Sequence, residues 1–231
     1  MKQNCKKCSN EFTLDPDDLS FYDKMMVPTP VVCPTCRFKM RAMWRNETTL
    51  YSGRKCDLCS KSVISMYNPK SPYTIYCNTC FYSEKWDPKN YKMDYDENRP
   101  FFDQMHELLI KVPKINTYLS LGAGPNINSD YANMAGGCKN CYLVFNTSPA
   151  EELMYSRGIT NVRDSSDLYF SRESERCYES VNVEQSSGIL FSKNVVGSVD
   201  GAFLLNCRGV MNCFGCVNLN NKSYYFLNQP L

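Results

Sequence analysis

The chain has a single histidine, His106, among 231 residues. Histidine pairs, imidazole-based triads and most histidine-ligated catalytic metals are therefore outside its reach. Net charge is also scarce, at +2, so no global field favours a polyanion or a membrane surface. No run approaches the ~18 apolar residues that a membrane helix needs. The first residues, Met1-Lys2-Gln3-Asn4-Cys5-Lys6-Lys7-Cys8, lack the apolar core of a secretory leader. A cytoplasmic protein with reduced thiols is the expectation.

Cysteine, by contrast, is plentiful, with 14 residues. In a reducing compartment paired cysteines read as metal ligands rather than disulfides. They are unevenly placed, and so is charge. Residues 1–90 carry 14 Lys/Arg against 9 Asp/Glu, and residues 91–231 carry 12 against 15. The basic excess sits on the half with the closely spaced pairs.

Eight cysteines form two sets. One reads Cys56-x2-Cys59-x17-Cys77-x2-Cys80, a zinc-ribbon spacing. Val63–Tyr67 reads as a strand, Asn68–Ser71 as a turn and Tyr73–Tyr76 as the return strand, so that one hairpin brings the pairs together. The other, Cys5-x2-Cys8-x24-Cys33-x2-Cys36, encloses a longer insert, with a short capped helix expected from Asp15 to Tyr22. Ligand exchange between the sets is the alternative pairing. Four cysteines per set leave no open position, so two structural zinc ions are expected rather than a catalytic one. Thioredoxin-like redox chemistry needs one such motif in a βαβ setting, not four in tandem. A helix over 37–46 places Arg37, Arg41 and Arg45 on one face beside Trp44, with Lys39, Arg54 and Lys55 near in sequence. That combination suits phosphate contact and base stacking; a plain solvated face is the alternative.

Residues 91–125 read as a connector, with a helix over 100–112 ended by Pro113 and a turn over Leu121–Asn126. Residues 126–231 read as a repeat. Blocks centred on Tyr142, Met154, Tyr169, Tyr178, Leu190, Phe203, Phe214 and Tyr224 recur at short, uneven steps. Paired into coils of about 24 residues, they predict a parallel β-solenoid, with a β-sandwich as the alternative. Asn140, Asn146, Asn161, Asn182, Asn194, Asn206, Asn212 and Asn218 lie at block edges, where left-handed corners and asparagine ladders are expected. Tyr155 is expected to stack on Tyr178 and Phe203 on Tyr225. Cys138, Cys141, Cys213 and Cys216, about three coils apart, read with Cys177 and Cys207 as small buried residues, with a third metal site as the alternative. Asn228–Leu231 looks too short to cover the last coil, which makes that end a candidate for self-association or a protein partner.

Specific runs carry a family resemblance. They include Val27-Pro28-Thr29-Pro30, Cys33-Pro34-Thr35-Cys36-Arg37, Trp44-Arg45-Asn46-Glu47, Lys85-Trp86-Asp87-Pro88, Arg99-Pro100-Phe101-Phe102 and Asn212-Cys213-Phe214-Gly215-Cys216. Over nearly its whole length the chain resembles uncharacterised double zinc-ribbon proteins of candidate-phyla bacteria. The resemblance implies two ribbons and a tail that in relatives runs on past Tyr224. Some relatives bear the label of a carnitine/bile-acid-type CoA transferase, and no residue here supports that chemistry.

The sequence thus predicts a mainly β protein: a double zinc ribbon over 1–90, a helical connector over 91–125 and a β-solenoid over 126–231. The expected function is non-enzymatic binding or scaffolding, with nucleic acid or protein as ligand. An enzyme with a substrate groove on the solenoid is the alternative; surface carboxylates such as Asp164, Asp167, Glu173 and Glu175 could pair across coils to serve it, with plain solvated charge as the other reading.

Overall fold

The computed structural model describes residues 1–119 and 123–231. Leu121 and Gly122 of the expected turn lie outside the described residues; beyond them, Gly124 has φ +84°. The chain divides into two compact units, Met1–Asn46 and Glu47–Leu231. The division falls between the two cysteine sets and not near residue 90. Among the described residues no helix is long and apolar enough to cross a membrane.

In the first unit, β1 (Lys2–Asn4) and β2 (Glu11–Thr13) form an antiparallel pair. Helix α1 (Pro16–Lys24) starts where expected. Asp15 accepts from the Asp18 N–H, Asp18 returns the bond to the Asp15 N–H, and Pro16 occupies the first turn. Helix α2 (Pro34–Ala42) follows Cys33.

In the second unit, β3 (Tyr51–Lys55) pairs antiparallel with β4 (Ser62–Ser65). The expected hairpin between residues 63–67 and 73–76 does not form. Instead β5 (Ile75–Tyr76) pairs in parallel with β6 (Lys114–Ile115). The reason is the intervening loop, which Arg54 holds from within. Its guanidinium donates to Asn68 O at 2.9 Å, to Ser71 Oγ at 3.1 Å and to Tyr73 O. Helix α3 (Asn78–Phe81) and the connector helix α4 (Phe101–Lys111) complete this region.

The rest is a parallel β-solenoid of about eight turns. Its coil is half as long as expected, with partners twelve positions on: Ser166 pairs with Tyr178, Val181 with Lys193, Lys193 with Leu205 and Val199 with Met211. Within a coil every third residue is buried and the residue before it has positive φ. Asn182, Gln185, Gly188 and Phe191 are the corners of one turn, and Asn194, Gly197, Asp200 and Phe203 are those of the next. Four left-handed corners per turn give four short sides, each sending one side chain inward. All eight asparagines expected at corners have positive φ, as their tolerance of that region dictates. Asparagine ladders form as well: Asn182 donates to Asn194 at 2.9 Å and Asn194 to Asn206 at 2.8 Å.

So narrow a bore takes mostly small and aliphatic side chains. Val183, Ile189, Val195, Leu204 and Val210 fill it with serines and cysteines. An inward serine solves a hydrogen-bonding problem twice. Ser192 Oγ donates to Leu190 O at 2.7 Å and accepts the Leu204 N–H of the next coil at 2.9 Å; Ser180, Ser186 and Ser198 repeat the pattern. Aromatic residues lie outside, save Tyr225 of the last coil, which packs against the core in the column of Cys213. The expected ring pairs are replaced by neighbours in the adjacent short coil: Tyr155 packs on Tyr142 at 5.8 Å, and Phe203 lies between Phe191 at 5.2 Å and Phe214 at 5.1 Å.

The final coil is less open than its sequence suggests. Gln229–Pro230 folds back antiparallel on Ser223–Phe226. Asn228 bonds both backbone groups of Val217, accepting from its N–H at 2.9 Å and donating to its carbonyl at 2.8 Å. One side-chain amide there takes the part of a strand residue.

Candidate metal centres

Each cysteine set is built from the same two parts. The first is a knuckle: Cys5 N–H bonds Asn10 O and Ser9 N–H bonds Cys5 O, while Cys56 N–H bonds Lys61 O and Ser60 N–H bonds Cys56 O. Ser9 and Ser60 both have φ 62°. The second is a helix N-terminus. Cys33 and Cys77 are N-caps with nearly equal dihedrals, and Cys36 and Cys80 lie in the turns that follow. In each set the second cysteine, Cys8 or Cys59, is exposed and the other three are buried.

Cys5, Cys8, Cys33 and Cys36 converge with all Sγ atoms within 4.8 Å of one another, and so do Cys56, Cys59, Cys77 and Cys80. The expected sets form without exchange. Cys8 and Cys33 Sγ are 3.8 Å apart, and Cys59 and Cys77 Sγ are 3.9 Å apart. A tetrahedron with metal–sulfur bonds of about 2.3 Å has edges of about 3.8 Å, whereas a disulfide needs about 2.05 Å. The donor geometry therefore fits one metal ion per set.

Electrostatics point the same way. Burial raises the Cys5 thiol, but N–H groups of Cys33, Cys8 and Lys7 outweigh it and hold Cys5 down at about 6; Cys33 N–H is 3.2 Å from its sulfur. Burial likewise opposes the N–H groups of Cys77, Cys59 and Leu58 at Cys56, which also lies at about 6. Cys36 and Cys80 are pushed up to about 12 by burial and then by neighbouring thiols. Each set thus pairs a thiol lowered by N–H groups with one raised by burial and by its neighbours. A cation at the centre removes that conflict.

The arginine stripe does not form as expected. Helix α2 ends at Ala42, so Arg45 lies beyond it. Arg37 is half-buried, donates to Tyr22 Oη at 2.7 Å and lies over that ring. Exposed Lys39, Arg41 and Trp44 remain, with Trp44 83% accessible and Phe38 and Met43 exposed as well.

Cys138, Cys141, Cys177, Cys207, Cys213 and Cys216 are all inward residues of the solenoid, as expected of small buried side chains. With the shorter coil, Cys138 and Cys213 stand about six turns apart and not three. At ~4.8 Å per coil that is about 30 Å, so the two pairs share no ion. Among the described residues no further group of three or more metal-binding side chains converges.

A shallow groove of about 930 Å³ runs along one solenoid face past Lys139, Glu151, Arg163 and Glu175. Its carboxylates are already paired. Lys139 bonds Glu151, Arg163 bonds Glu175, and Glu173 accepts from Gln185 at 2.9 Å. His106 is exposed on α4. The shared design of the two centres, knuckle followed by helix N-terminus, escapes sequence reading, although the Cys-x2-Cys-Ser of Cys5–Ser9 and Cys56–Ser60 is its visible trace. No known protein family, curated protein or solved structure matches this chain.

Proposed function

We propose that the chain is a zinc-stapled, non-enzymatic cytoplasmic binding scaffold. The observation that carries this reading is the pair of four-thiol centres with tetrahedral sulfur spacing. Four-sulfur tetrahedra suit zinc or iron; thiolates already stabilised by N–H groups, in a chain lacking histidine partners, favour a structural zinc. Elemental analysis of protein purified without added metal tests it. About two zinc per chain, in a colourless protein, is expected. Disulfides in place of metal would overturn the scaffold reading, and visible iron absorption would replace the ion.

The ligand we favour is single-stranded nucleic acid, bound by the first unit. Lys39 and Arg41 supply phosphate contacts on the helix that holds Cys36, and exposed Trp44 and Phe38 supply ring faces. Fluorescence titration of the full chain with DNA and RNA oligonucleotides at two salt concentrations is the test. Affinity should fall steeply with salt and be lost in the combined variant Lys39→Ala, Arg41→Ala, Trp44→Ala. A protein ligand is the second reading, favoured by exposed Met25, Met26 and Met43 in the same unit; it predicts no oligonucleotide binding at low salt.

A further inference from the structure

The two metal centres look alike, yet their surroundings differ. Cys5, Cys8, Cys33 and Cys36 all lie in Met1–Asn46. The second centre belongs to the same compact unit as the solenoid, and its two arms are tied to the segment that leads into the solenoid. The sewing residue is Asn116, only 8% exposed.

Four bonds meet there. Asn116 N–H donates to Tyr76 O at 2.9 Å, one residue before the ligand Cys77. Its side chain accepts from Asn78 Nδ2, one residue after Cys77, at 3.1 Å. On the other arm, beyond Cys59, the Asn116 side chain donates to Ile64 O at 2.8 Å and its carbonyl accepts the Met66 N–H at 2.9 Å. The path continues upward. Asn78 also donates to Thr117 at 3.2 Å. Tyr118 N–H reaches the side chain of Asn133, which is fully buried and donates to Glu47 O at 3.0 Å. Asn133 lies in Ala132–Ala135, the strand on which Tyr142–Thr147 stacks.

The end of a solenoid presents a row of unpaired backbone groups and needs a cover. Here the cover is the knuckle region. Of the strands carrying it, β5 spans only Ile75–Tyr76, too short to hold its place without help. We propose that the second metal centre is the N-terminal cap of the solenoid, so that loading Cys56, Cys59, Cys77 and Cys80 gates the ordering of the first coils while loading of the first centre does not. The proposal rests on the metal-binding reading above, and it makes the solenoid responsive to metal supply at one end only.

The experiment compares full-length Cys59→Ser and Cys8→Ser, each altering the exposed ligand of one centre, by metal analysis and hydrogen exchange. Each variant should hold one zinc fewer than the parent. Cys59→Ser should exchange at least tenfold faster over residues 114–119 and 132–147, while residues 205–216 keep their protection. Cys8→Ser should match the parent in all three segments. Should Cys59→Ser prove insoluble, the parent chain is titrated with a chelator and then with zinc, and exchange over 132–147 should follow the loss and return of metal. Metal loss at the second centre with unchanged exchange, or equal loosening in both variants, overturns the cap while leaving metal binding intact. A parent chain that never holds metal overturns both.

Discussion

The side chains of Asn78 and Asn116, 38 residues apart, are joined by one hydrogen bond of 3.1 Å, and that bond lies a single residue from the ligand Cys77. Replacing Asn116 by leucine removes, in a buried place, the side-chain donor to Ile64 O and one of the two acceptors of Asn78 Nδ2, which keeps Thr117. A lost buried partner costs about 1–3 kcal/mol, so Asn116→Leu should destabilise the chain by about 1–3 kcal/mol in chemical denaturation. A change below about 0.5 kcal/mol, the lower edge of a hydrogen bond's net worth, would show that these bonds hold nothing together.

Inward serines should be replaceable by cysteine but not by alanine. Ser192 accepts the Leu204 N–H, and alanine leaves that group buried without a partner. Cysteine keeps an acceptor, as Cys177 does toward the Ile189 N–H. Ser192→Ala should cost about 1–3 kcal/mol and Ser192→Cys distinctly less. Equal costs in urea unfolding would remove the acceptor role.

Two glycines at corners separate backbone strain from crowding. A Cβ on Gly197 meets nothing within 4 Å, so Gly197→Ala incurs only the left-handed penalty of about 1–2 kcal/mol. A Cβ on Gly158 would lie 2.7 Å from the Phe170 ring, and overpacking adds about 1–3 kcal/mol. Gly158→Ala should therefore melt at a lower temperature than Gly197→Ala; the reverse order would contradict the packing described.

Along the solenoid's outside, basic partners hold three carboxylates below their ordinary range: Lys139 for Glu151, Arg163 for Glu175 and Arg172 for Glu184, through the hydrogen bond first and with charge reinforcing it. A carboxyl with a depressed folded pKa contributes stability above its unfolded value, and that contribution is lost as pH falls through the folded value. Because the pairs are exposed, the effect on stability is small and NMR titration is the better gauge. Glu184 should titrate below an ordinary glutamate and return to the usual range in Arg172→Gln. A Glu184 that titrates identically in both proteins would refute the pairing.

The metal sets and the solenoid are legible in the sequence, for different reasons. Paired cysteines reveal themselves because ligand spacing is set locally by the knuckle, whatever lies between the pairs. The solenoid shows through its corners, since asparagine recurs in strict register at Asn182, Asn194, Asn206 and Asn218. Coil length is harder to read because the most conspicuous residues, Tyr142, Tyr178, Phe203 and Phe214, are exposed. Outward rings can shift by a residue and still stack, so their spacing blurs. Val183, Ser186, Ile189 and Ser192, all inward, keep strict threes but alternate in polarity, and no hydrophobic pattern marks them. The hairpin error has another source. Arg54 reads like a surface cation, and nothing in sequence reveals that its side chain is 10% exposed and ties residues 68–73.

A wall that admits one side chain in three behaves like a text with a reading frame. Deleting a single residue at a corner would carry Arg208 or Glu184, now facing water, into a bore otherwise lined by small and aliphatic side chains, and every later coil would inherit the error. Adding or removing one whole coil, however, keeps every column in place. Length is thus the one property of this solenoid that can vary without rewriting its surface, whereas a single lost letter garbles everything downstream.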